Sequence, residues 1–186
     1  VMHLARGVEL GAATRKFLKD KGLEEFIPQA KSLLESWGSK YVLPEDLAYE
    51  KGGSRAEIDV PAPGRAIGAE GLFPDVGAKT VALFKKSIAS AGSIFVNGPA
   101  GMYENETWAY GTREIWQAIA AAPGYTVVGG GDTISAAAKF TKMEDYGYVC
   151  TGGGAMVRFL AGKRLPLIEA MERAYERNLR EPVRRA

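Results

Sequence analysis

Hydrophobic residues recur every three or four positions in several parts of the chain, the spacing of a helix that buries one face. The clearest stretch is 24–37, where the residues predicted to face inward are Phe26, Ile27, Ala30, Leu33, Leu34 and Trp37. Gly38 provides an end for this helix. The same spacing predicts an interrupted helix over 1–20 and a further helix over 77–91.

Short apolar runs bounded by glycine or proline predict strands. Two weaker runs lie at 40–43 and 57–60, before Pro44 and Pro61. The segment 61–76 is rich in glycine and proline, which is typical of a loop. Three stronger runs follow at 93–96, 125–128 and 146–150.

Each of the three stronger runs leads through a turn into a helical pattern. The first helix is predicted over 112–122 with Thr112 as N-cap, and the second runs to about 141 with Asp132 or Thr133 as cap. After 150 comes a short helix, then a longer one from Pro166 whose predicted inward residues are Ile168, Met171 and Tyr175. Three such units predict an α/β fold, with a Rossmann-like parallel sheet flanked by helices.

Two glycine triplets stand where the last two strands end. Gly129, Gly130 and Gly131 are followed by Asp132 and Thr133, and a second triplet, Gly152 to Gly154, follows Thr151. A glycine turn that opens a helix leaves free N–H groups at the positive end of the helix dipole. In a parallel sheet the strand ends meet at one edge. The triplets, together with the break at 97–101, therefore predict one anion-binding rim.

Composition excludes several classes of function. A chain of 186 residues is one domain or one lobe of a larger protein, and its net charge of +2 attracts neither nucleic acid nor an anionic membrane. Its basic concentration is predicted to be a solvated helix face; the arginines are Arg173, Arg177, Arg180, Arg184 and Arg185. Since no apolar run has transmembrane length and no signal peptide is seen, a cytoplasmic protein is expected.

Cysteine and histidine are too scarce for the usual zinc site. Cys150 and His3 are the only residues of their kinds, so no intrachain disulfide is possible and a reducing compartment fits. Cys150 lies in an apolar run and is expected to be a buried, inert thiol. Any metal would be held by carboxylate and substrate oxygens, as Mg²⁺ usually is.

Familiar nucleotide motifs are missing. A dinucleotide fingerprint needs a third glycine at 134 or 157, where the chain has Ile134 and Val157. The phosphate loop of nucleotide triphosphatases fails too, because Lys163 is followed by Arg164 rather than serine or threonine. A nicotinamide enzyme and a common nucleotide triphosphatase are therefore disfavoured.

Each candidate residue also has a plainer reading. Asp132 is either a helix cap or a ligand for the Mg²⁺ that accompanies a nucleotide. In the 97–104 loop, Met102 could form an apolar wall and Glu104 could accept hydrogen bonds from ribose hydroxyls, or the loop could merely need its glycines and proline. The triplet at 152–154 could serve only close packing of a helix on the sheet.

Taken in order, the motifs resemble the C-terminal half of the phosphoglycerate kinase family. They are Asn97-Gly98-Pro99 with Gly101 and Glu104, Gly111-Thr112, the run from Gly129 to Thr133, the run from Thr151 to Ala155, and Leu160, Gly162, Lys163, Leu165 and Pro166. The match is close over 75–170 and collinear before that. Met102, Tyr103 and the divergent segment 45–76 are more similar to archaeal members.

The resemblance implies a two-lobed kinase that transfers phosphate reversibly between 1,3-bisphosphoglycerate and ADP, giving 3-phosphoglycerate and ATP with Mg²⁺. Asn97, Pro99 and Met102 would line the nucleotide pocket and Glu104 would bind the ribose. Phosphates and Mg²⁺ would meet Gly130, Gly131, Asp132 and Thr133, with Asp132 as the metal ligand. The catalytic set, which would present backbone N–H groups to the phosphoryl group, is Gly152, Gly153 and Gly154.

The sequence also departs from the family's pattern. Residues 1–186 would form the nucleotide lobe, while the glycerate lobe and the family's Gly-Gly-Ala-Lys-Val segment, with its phosphate-binding lysine, have no match. The parent would be a monomer, and an incomplete sheet would favour self-association of this chain. Three readings stay open: the nucleotide side of the kinase, inactive alone; a non-catalytic nucleotide- or phosphate-binding module; and a purely structural fragment.

Overall fold

The structure is a computed structural model that describes residues 1–180, with side chains described as far as 177. Within this part of the chain, helices surround two three-stranded sheets, one antiparallel and one parallel. Arg184, Arg185 and the side chain of Arg180, three members of the predicted basic face, lie outside the described residues. No helix within 1–180 is both long and apolar enough to cross a membrane.

The N-terminal third contains three helices, α1 (Met2–Ala5), α2 (Ala12–Asp20) and α3 (Ile27–Trp37). This confirms the predicted helical segments and the interruption between the first two. The predicted inner face of α3 is wrong in part. Ala30 is buried and Ile27 and Leu34 are half-buried, but Phe26, Leu33 and Trp37 are 46%, 38% and 53% exposed. Helix α3 packs against α1, and its apolar stripe is covered only in part.

A small antiparallel sheet follows, built from β1 (Asp46–Lys51), β2 (Ser54–Asp59) and β3 (Asp75–Val76) in the order β2-β1-β3. The strand predicted at 57–60 overlaps β2. The strand predicted at 40–43 is wrong: the short 3₁₀ turn Gly38–Lys40 leads there into irregular backbone. Pro44 ends this run, and both edges of the neighbouring β1 are already paired, so 40–43 cannot pair with it.

Asp46 fastens this sheet to helix α4 (Ala78–Ala89). Its carboxylate accepts hydrogen bonds from the backbone N–H groups of Lys79 at 2.9 Å and Thr80 at 2.8 Å. These are among the N–H groups that a helix start leaves unpaired, and a carboxylate there also complements the helix dipole. The N-terminus of α4 is therefore occupied by the protein itself.

The parallel sheet consists of β4 (Ser93–Val96), β5 (Tyr125–Gly129) and β6 (Tyr148–Cys150), in that order. Ser93 pairs with Tyr125 and Gly129 with Cys150, so the three strands run side by side in one direction. The helices that follow are α5 (Tyr110–Ala120), α6 (Gly131–Phe140), α7 (Gly153–Leu160) and α8 (Pro166–Arg180). The predicted α/β fold with a parallel sheet is confirmed.

The predicted helix caps are wrong. Helix α5 begins two residues before Thr112, whose buried hydroxyl instead accepts a hydrogen bond from the backbone N–H of Gly101 at 3.1 Å. Helix α6 is preceded by Gly130, and no side chain caps it. Asp132 and Thr133 lie in its first turn, so the cap reading of Asp132 is excluded.

One face of the parallel sheet carries the core. Val128 packs there with Trp116 and Ile119 of α5 and with Ala136 of α6, and Tyr146 meets Trp116 edge-on at 5.9 Å between ring centres. The opposite face is only partly covered by α7. On α8 the expected inward residues are exposed, by 47% at Ile168, 60% at Met171 and 66% at Tyr175, so that prediction is wrong.

Candidate functional site

The loops after β4, β5 and β6 meet at the carboxyl edge of the parallel sheet. The side-chain amide of Asn97 donates to the carbonyl of Gly129 at 2.7 Å. The backbone N–H of Gly98 donates to the Thr133 hydroxyl at 2.7 Å, and that of Gly130 donates to the carbonyl of Cys150 at 2.9 Å. The predicted convergence of loops 97–104, 129–133 and 151–155, hereafter the glycine rim, is confirmed.

The two triplets touch through positions that tolerate no side chain. A Cβ atom on Gly153 would lie 2.5 Å from Cα of Gly130 and 3.0 Å from Nδ2 of Asn97. Gly130 itself has a φ of +104°, in the left-handed region that favours glycine. Close packing accounts for Gly153, as the plainer reading held. It accounts less well for Gly154, whose Cβ would meet nothing within 4 Å.

Two helix starts face this rim with unpaired amides. The N–H of Ile134 is the first in α6 to find an intrahelical carbonyl, that of Gly130. The N–H groups of residues 131–133 therefore have no partner further back in the helix. In α7 the N–H of Met156 is the first to find such a carbonyl, that of Gly152, and the N–H of Gly153 donates to the carbonyl of Thr151 at 3.0 Å. The N–H groups of residues 154 and 155 therefore have no partner further back in α7. Such a pair of helix starts is suited to bind an anion such as phosphate.

The side chains of the rim differ in how they could meet a ligand. Asp132 is exposed, while Thr133 is 2% exposed and its hydroxyl is already bonded to Gly98. Any contact from Thr133 would therefore come from its backbone N–H. Asn97 keeps its side-chain carbonyl oxygen available, since the Asn97 bond to Gly129 uses the amide nitrogen.

The described residues contain no group of three or more histidine, cysteine, aspartate or glutamate side chains arranged to hold a metal ion. Asp132 is thus a single exposed carboxylate beside unpaired amides. Mg²⁺ commonly binds through one or two carboxylates together with substrate phosphates and water. The donor set fits Mg²⁺ that arrives with a nucleotide, and it fits free Mg²⁺ poorly.

Met102 lies outside the cluster formed by Asn97, Gly130 and Gly153. It is 56% exposed and lines a separate recess of about 440 Å³ with Leu72, Pro74 and Trp108. Its backbone N–H donates to the carbonyl of Pro74 at 2.8 Å. Pro74 and Trp108 carry no motif of their own, so sequence reasoning missed them.

Glu104 lies in loop 97–104, and Lys139 of α6 contacts this loop. Glu104 is exposed, close to the recess in sequence, and Pro99 is half-buried. Lys139 of α6 donates to the backbone carbonyl of Tyr103 at 2.7 Å and pairs with Glu106 at 2.6 Å. Sequence reasoning did not single out Lys139, which ties the 97–104 loop to the helix that carries Asp132.

Behind the rim, the uncovered face of the sheet forms an apolar groove of about 590 Å³. It is lined by Phe95 on β4, Tyr148 and Cys150 on β6, and Met156 and Phe159 on α7. Cys150 is half-buried there, so its expected full burial is not seen.

A parallel sheet with glycine-bearing loops and unpaired helix amides at one edge is the architecture of α/β domains that bind nucleotides and other phosphate compounds. The model of the family described as phosphoglycerate kinase matches residues 1–163. The chain therefore belongs to the phosphoglycerate kinase family, whose members are kinases.

Similar proteins include archaeal phosphoglycerate kinases. That of Methanopyrus kandleri is 41% identical over 167 residues, which is 90% of this chain and 40% of that protein. That of Pyrococcus horikoshii is 34% identical over 177 residues, 95% of this chain and 43% of that protein.

Solved structures agree with these relatives. The crystal structure of phosphoglycerate kinase from Pyrococcus horikoshii matches with a TM-score of 0.80 at 34% identity, covering 94% of this chain and 43% of that one. The enzyme from Coxiella burnetii matches with a TM-score of 0.69 at 32% identity, covering 90% of this chain and 48% of that one. The chain thus spans less than half the length of the proteins it matches.

Proposed function

We propose that the chain is the nucleotide side of a phosphoglycerate kinase, which moves a phosphoryl group reversibly between 1,3-bisphosphoglycerate and ADP, giving 3-phosphoglycerate and ATP in cytoplasmic glycolysis. The observation that carries the proposal is the glycine rim, where Asn97, Gly130 and Gly153 lie within contact of one another beside two helix starts. Phosphoryl transfer is catalysed mainly by positioning and by stabilising charge, and a rim of fixed amides supplies both.

The proposed roles follow the geometry. The unpaired amides of Gly131 and Thr133 would contact nucleotide phosphates, while Gly130, whose N–H is bonded to Cys150, would let the phosphates approach the backbone closely. Asp132 would hold Mg²⁺, which when bound neutralises phosphate charge. Gly152, Gly153 and Gly154 would face the transferred phosphoryl group. Asn97, Pro99 and Met102 would line the remainder of the nucleotide pocket, with Glu104 accepting hydrogen bonds from the ribose. The recess at Met102 would then extend this pocket away from the phosphates.

We further propose that residues 1–186 belong to the nucleotide lobe. The acceptor, 3-phosphoglycerate, and the family's phosphate-binding lysine would be held by the part of the relatives that has no counterpart in this sequence. Holding two substrates in line can supply roughly 7–11 kcal/mol of the barrier reduction. The chain alone is therefore expected to be catalytically inactive and to bind nucleotide weakly.

Two assays separate this proposal from the alternatives. The purified 186-residue chain, given 1,3-bisphosphoglycerate and MgADP, is expected to form no ATP above background in a coupled assay. Calorimetry with MgADP is expected to show weak, saturable binding. ATP formation would contradict the proposal that the glycerate substrate is held by the part of the relatives that has no counterpart in this sequence. Absence of MgADP binding would contradict the nucleotide site itself and favour a purely structural role.

Association of the isolated chain follows from its uncovered surface. Phe95 and Phe159 of the apolar groove are 42% and 68% exposed, and among the described strands only β5 pairs with β4. Exposed apolar surface and an unpaired strand edge both favour association. Sedimentation velocity should show mass rising with concentration; a monomer at every concentration would contradict this.

A further inference from the structure

A buried carboxylate outside the glycine rim lies against the loop that carries Met102. Asp75, the first residue of β3, is 1% exposed and pairs across the sheet with Ala48. Its Oδ2 accepts a hydrogen bond from the backbone N–H of Gly111 at 2.9 Å. Gly111 belongs to the first turn of α5, so Asp75 joins the antiparallel sheet to the start of that helix.

The other oxygen of Asp75 is pressed between two glycines. Cβ atoms on Gly101 and Gly111 would lie 2.5 Å and 2.4 Å from Oδ1. Among the described residues Oδ1 has no hydrogen-bond partner. Burying a carboxylate oxygen in this way is costly, and burial raises the pKa of Asp75 while the Gly111 N–H and Arg55 oppose that rise. A buried polar atom without a partner calls for an explanation, and its location suggests one.

The backbone on either side of Asp75 holds the same turn. The N–H of Met102 donates to the carbonyl of Pro74 at 2.8 Å, and the N–H of Gly101 donates to the Thr112 hydroxyl at 3.1 Å. The start of loop 97–104 is bonded to the neighbouring rim loop, since Asn97 donates to Gly129 and Gly98 donates to Thr133. The turn at Gly101 and Met102 is therefore attached separately from the start of the loop, and Lys139 holds the Tyr103 carbonyl between the turn and α6.

Arg55 of β2 supplies the compensating charge. Its guanidinium donates to the carbonyl of Val76 at 2.9 Å and to Glu57 at 2.5 Å, and it lies 3.4 Å from Oδ2 of Asp75. It also stacks on the ring of Tyr110, 5.1 Å from its centre. These contacts immobilise the arginine beside Asp75. The Asp75 carboxylate is therefore held by two groups, the Arg55 guanidinium and the backbone N–H of Gly111.

We propose that Asp75 is a positioning residue for the nucleotide pocket: its carboxylate, pressed against Gly101 and bonded to Gly111, fixes the turn that places Met102 and Glu104. This inference rests on the proposed nucleotide site for its functional part. Asp75 itself would not contact the nucleotide. It would affect nucleotide affinity by fixing the loop that carries Met102 and Glu104.

The test compares Asp75→Asn with the unchanged chain by amide hydrogen exchange and by MgADP calorimetry. Asparagine keeps the shape but removes the charge that pairs with Arg55 and puts an N–H₂ group where Oδ1 has no partner. Exchange at Met102 and at neighbouring amides of 97–104 should accelerate about tenfold, and MgADP should bind about tenfold more weakly, the scale of one weakened charge-assisted contact. Amides of β5 should exchange no faster than in the control below.

Ile119→Val is the matched control. Ile119 lies on α5 like Gly111 and packs in the core cluster, which Tyr103 also contacts but which does not include Asp75. Its truncation therefore loosens the loop only as far as the core loosens, and it removes no contact of Asp75. Ile119→Val should not accelerate amide exchange at 97–104 more than elsewhere, and it should leave the MgADP affinity unchanged. If Asp75→Asn does not fold, Arg55→Lys serves instead. That variant keeps the charge and loses the planar fork, and a smaller effect is expected at the same amides.

The outcomes are distinct. Selective loosening of 97–104 together with weaker MgADP binding supports the inference. Exchange at 97–104 that matches the Ile119→Val control overturns it, and so does a loosened loop with unchanged affinity. Absence of MgADP binding in the unchanged chain contradicts the proposed function and the nucleotide part of this inference. The exchange comparison then decides alone whether Asp75 orders the turn.

Discussion

Asp132 is the residue of the glycine rim whose charge would meet the ligand in the proposed nucleotide site. It is exposed in the first turn of α6 and does not cap the helix. A carboxylate in that place repels a bare phosphate but attracts the Mg²⁺ that accompanies one. Its role can therefore be read from how nucleotide affinity depends on the metal.

Replacing Asp132 with alanine is expected to weaken MgADP binding about tenfold, the scale of one lost charge-assisted contact. Affinity for ADP without metal should stay the same or rise, because a repelling charge is removed. Calorimetry with and without Mg²⁺ measures both. Asp145→Ala, the same change in the turn before β6 at the opposite edge of the sheet, is the control. Equal weakening of both ligands would remove Asp132 from the metal site.

His3 should make the chain's stability depend on pH. Both ring nitrogens are buried without a hydrogen-bond partner among the described residues, and burial, with Arg6 and the N-terminal amine nearby, lowers the pKa of His3 from 6.5 to about 4. Below pH 6.5 the unfolded chain takes up a proton that the folded chain resists. The free energy of unfolding should therefore fall as pH drops from 6.5 towards 4.

Urea unfolding at several pH values in this window tests the effect of His3. His3→Phe keeps a ring without the titrating nitrogens, and it should flatten the part of the slope that lies above the range of carboxylate titration. No other histidine contributes, because His3 is the only one in the chain. A variant that keeps the full slope would show that other groups cause it.

At the scale of elements, the contact between the two triplets joins the turns after β5 and β6 at the rim. A Cβ on Gly153 would meet backbone atoms of Gly130 at 2.5 Å and 2.8 Å, whereas one on Gly154 would meet nothing within 4 Å. These adjacent residues of α7 therefore differ in what an added methyl group does.

Gly153→Ala is expected to destabilise the fold by about 1–3 kcal/mol, the usual cost of overpacking. Gly154→Ala should stabilise it by about 0.4–1 kcal/mol, because alanine restricts the unfolded chain and fits the helix. Chemical denaturation of the two variants provides the comparison. Similar changes in both would mean that the triplets do not press on each other.

Sequence patterns predicted the elements that depend on local signals. Apolar runs placed β4 and β5 within a residue, and helical spacing placed α3 and α4. Strand β1 was missed because its charged residues mask the alternation, although Gly52 and Gly53 after it, both at positive φ, are a hairpin signal. Helix starts were misplaced because the hydroxyls of Thr112 and Thr133 accept hydrogen bonds from backbone N–H groups of another loop instead of capping a helix.

In the candidate site too, some residues could be predicted from sequence motifs and others could not. The rim glycines followed from motifs at strand ends, so their convergence could be predicted. Asp75, Arg55 and Lys139 could not be predicted. Asp75 lies against Gly101 and Lys139 bonds to Tyr103, each from an element more than 20 residues away, and Arg55 contacts Asp75 rather than the loop. Roles carried by sequence-distant partners leave no local pattern.

At the scale of the molecule, one side of the parallel sheet is packed and the other is not. Trp116 and Tyr146 fill the inner face, while the outer face keeps an apolar groove and α8 exposes Met171 and Tyr175. The family relatives are more than twice as long as the matched segment. The glycine rim is nevertheless assembled by the described residues alone, so nucleotide binding can be tested on this chain.

Chemical-shift mapping tests that claim most directly. The ¹⁵N-labelled chain would be titrated with MgADP to millimolar concentration, since weak affinity is expected. Saturable shifts are expected, concentrated in the amides of 97–104, 129–133 and 151–155. A charged cleft lined by Arg6, Asp59 and Lys79, which includes no residue of the rim, provides an internal comparison. No saturable shift, or shifts centred on that cleft, would contradict the nucleotide site.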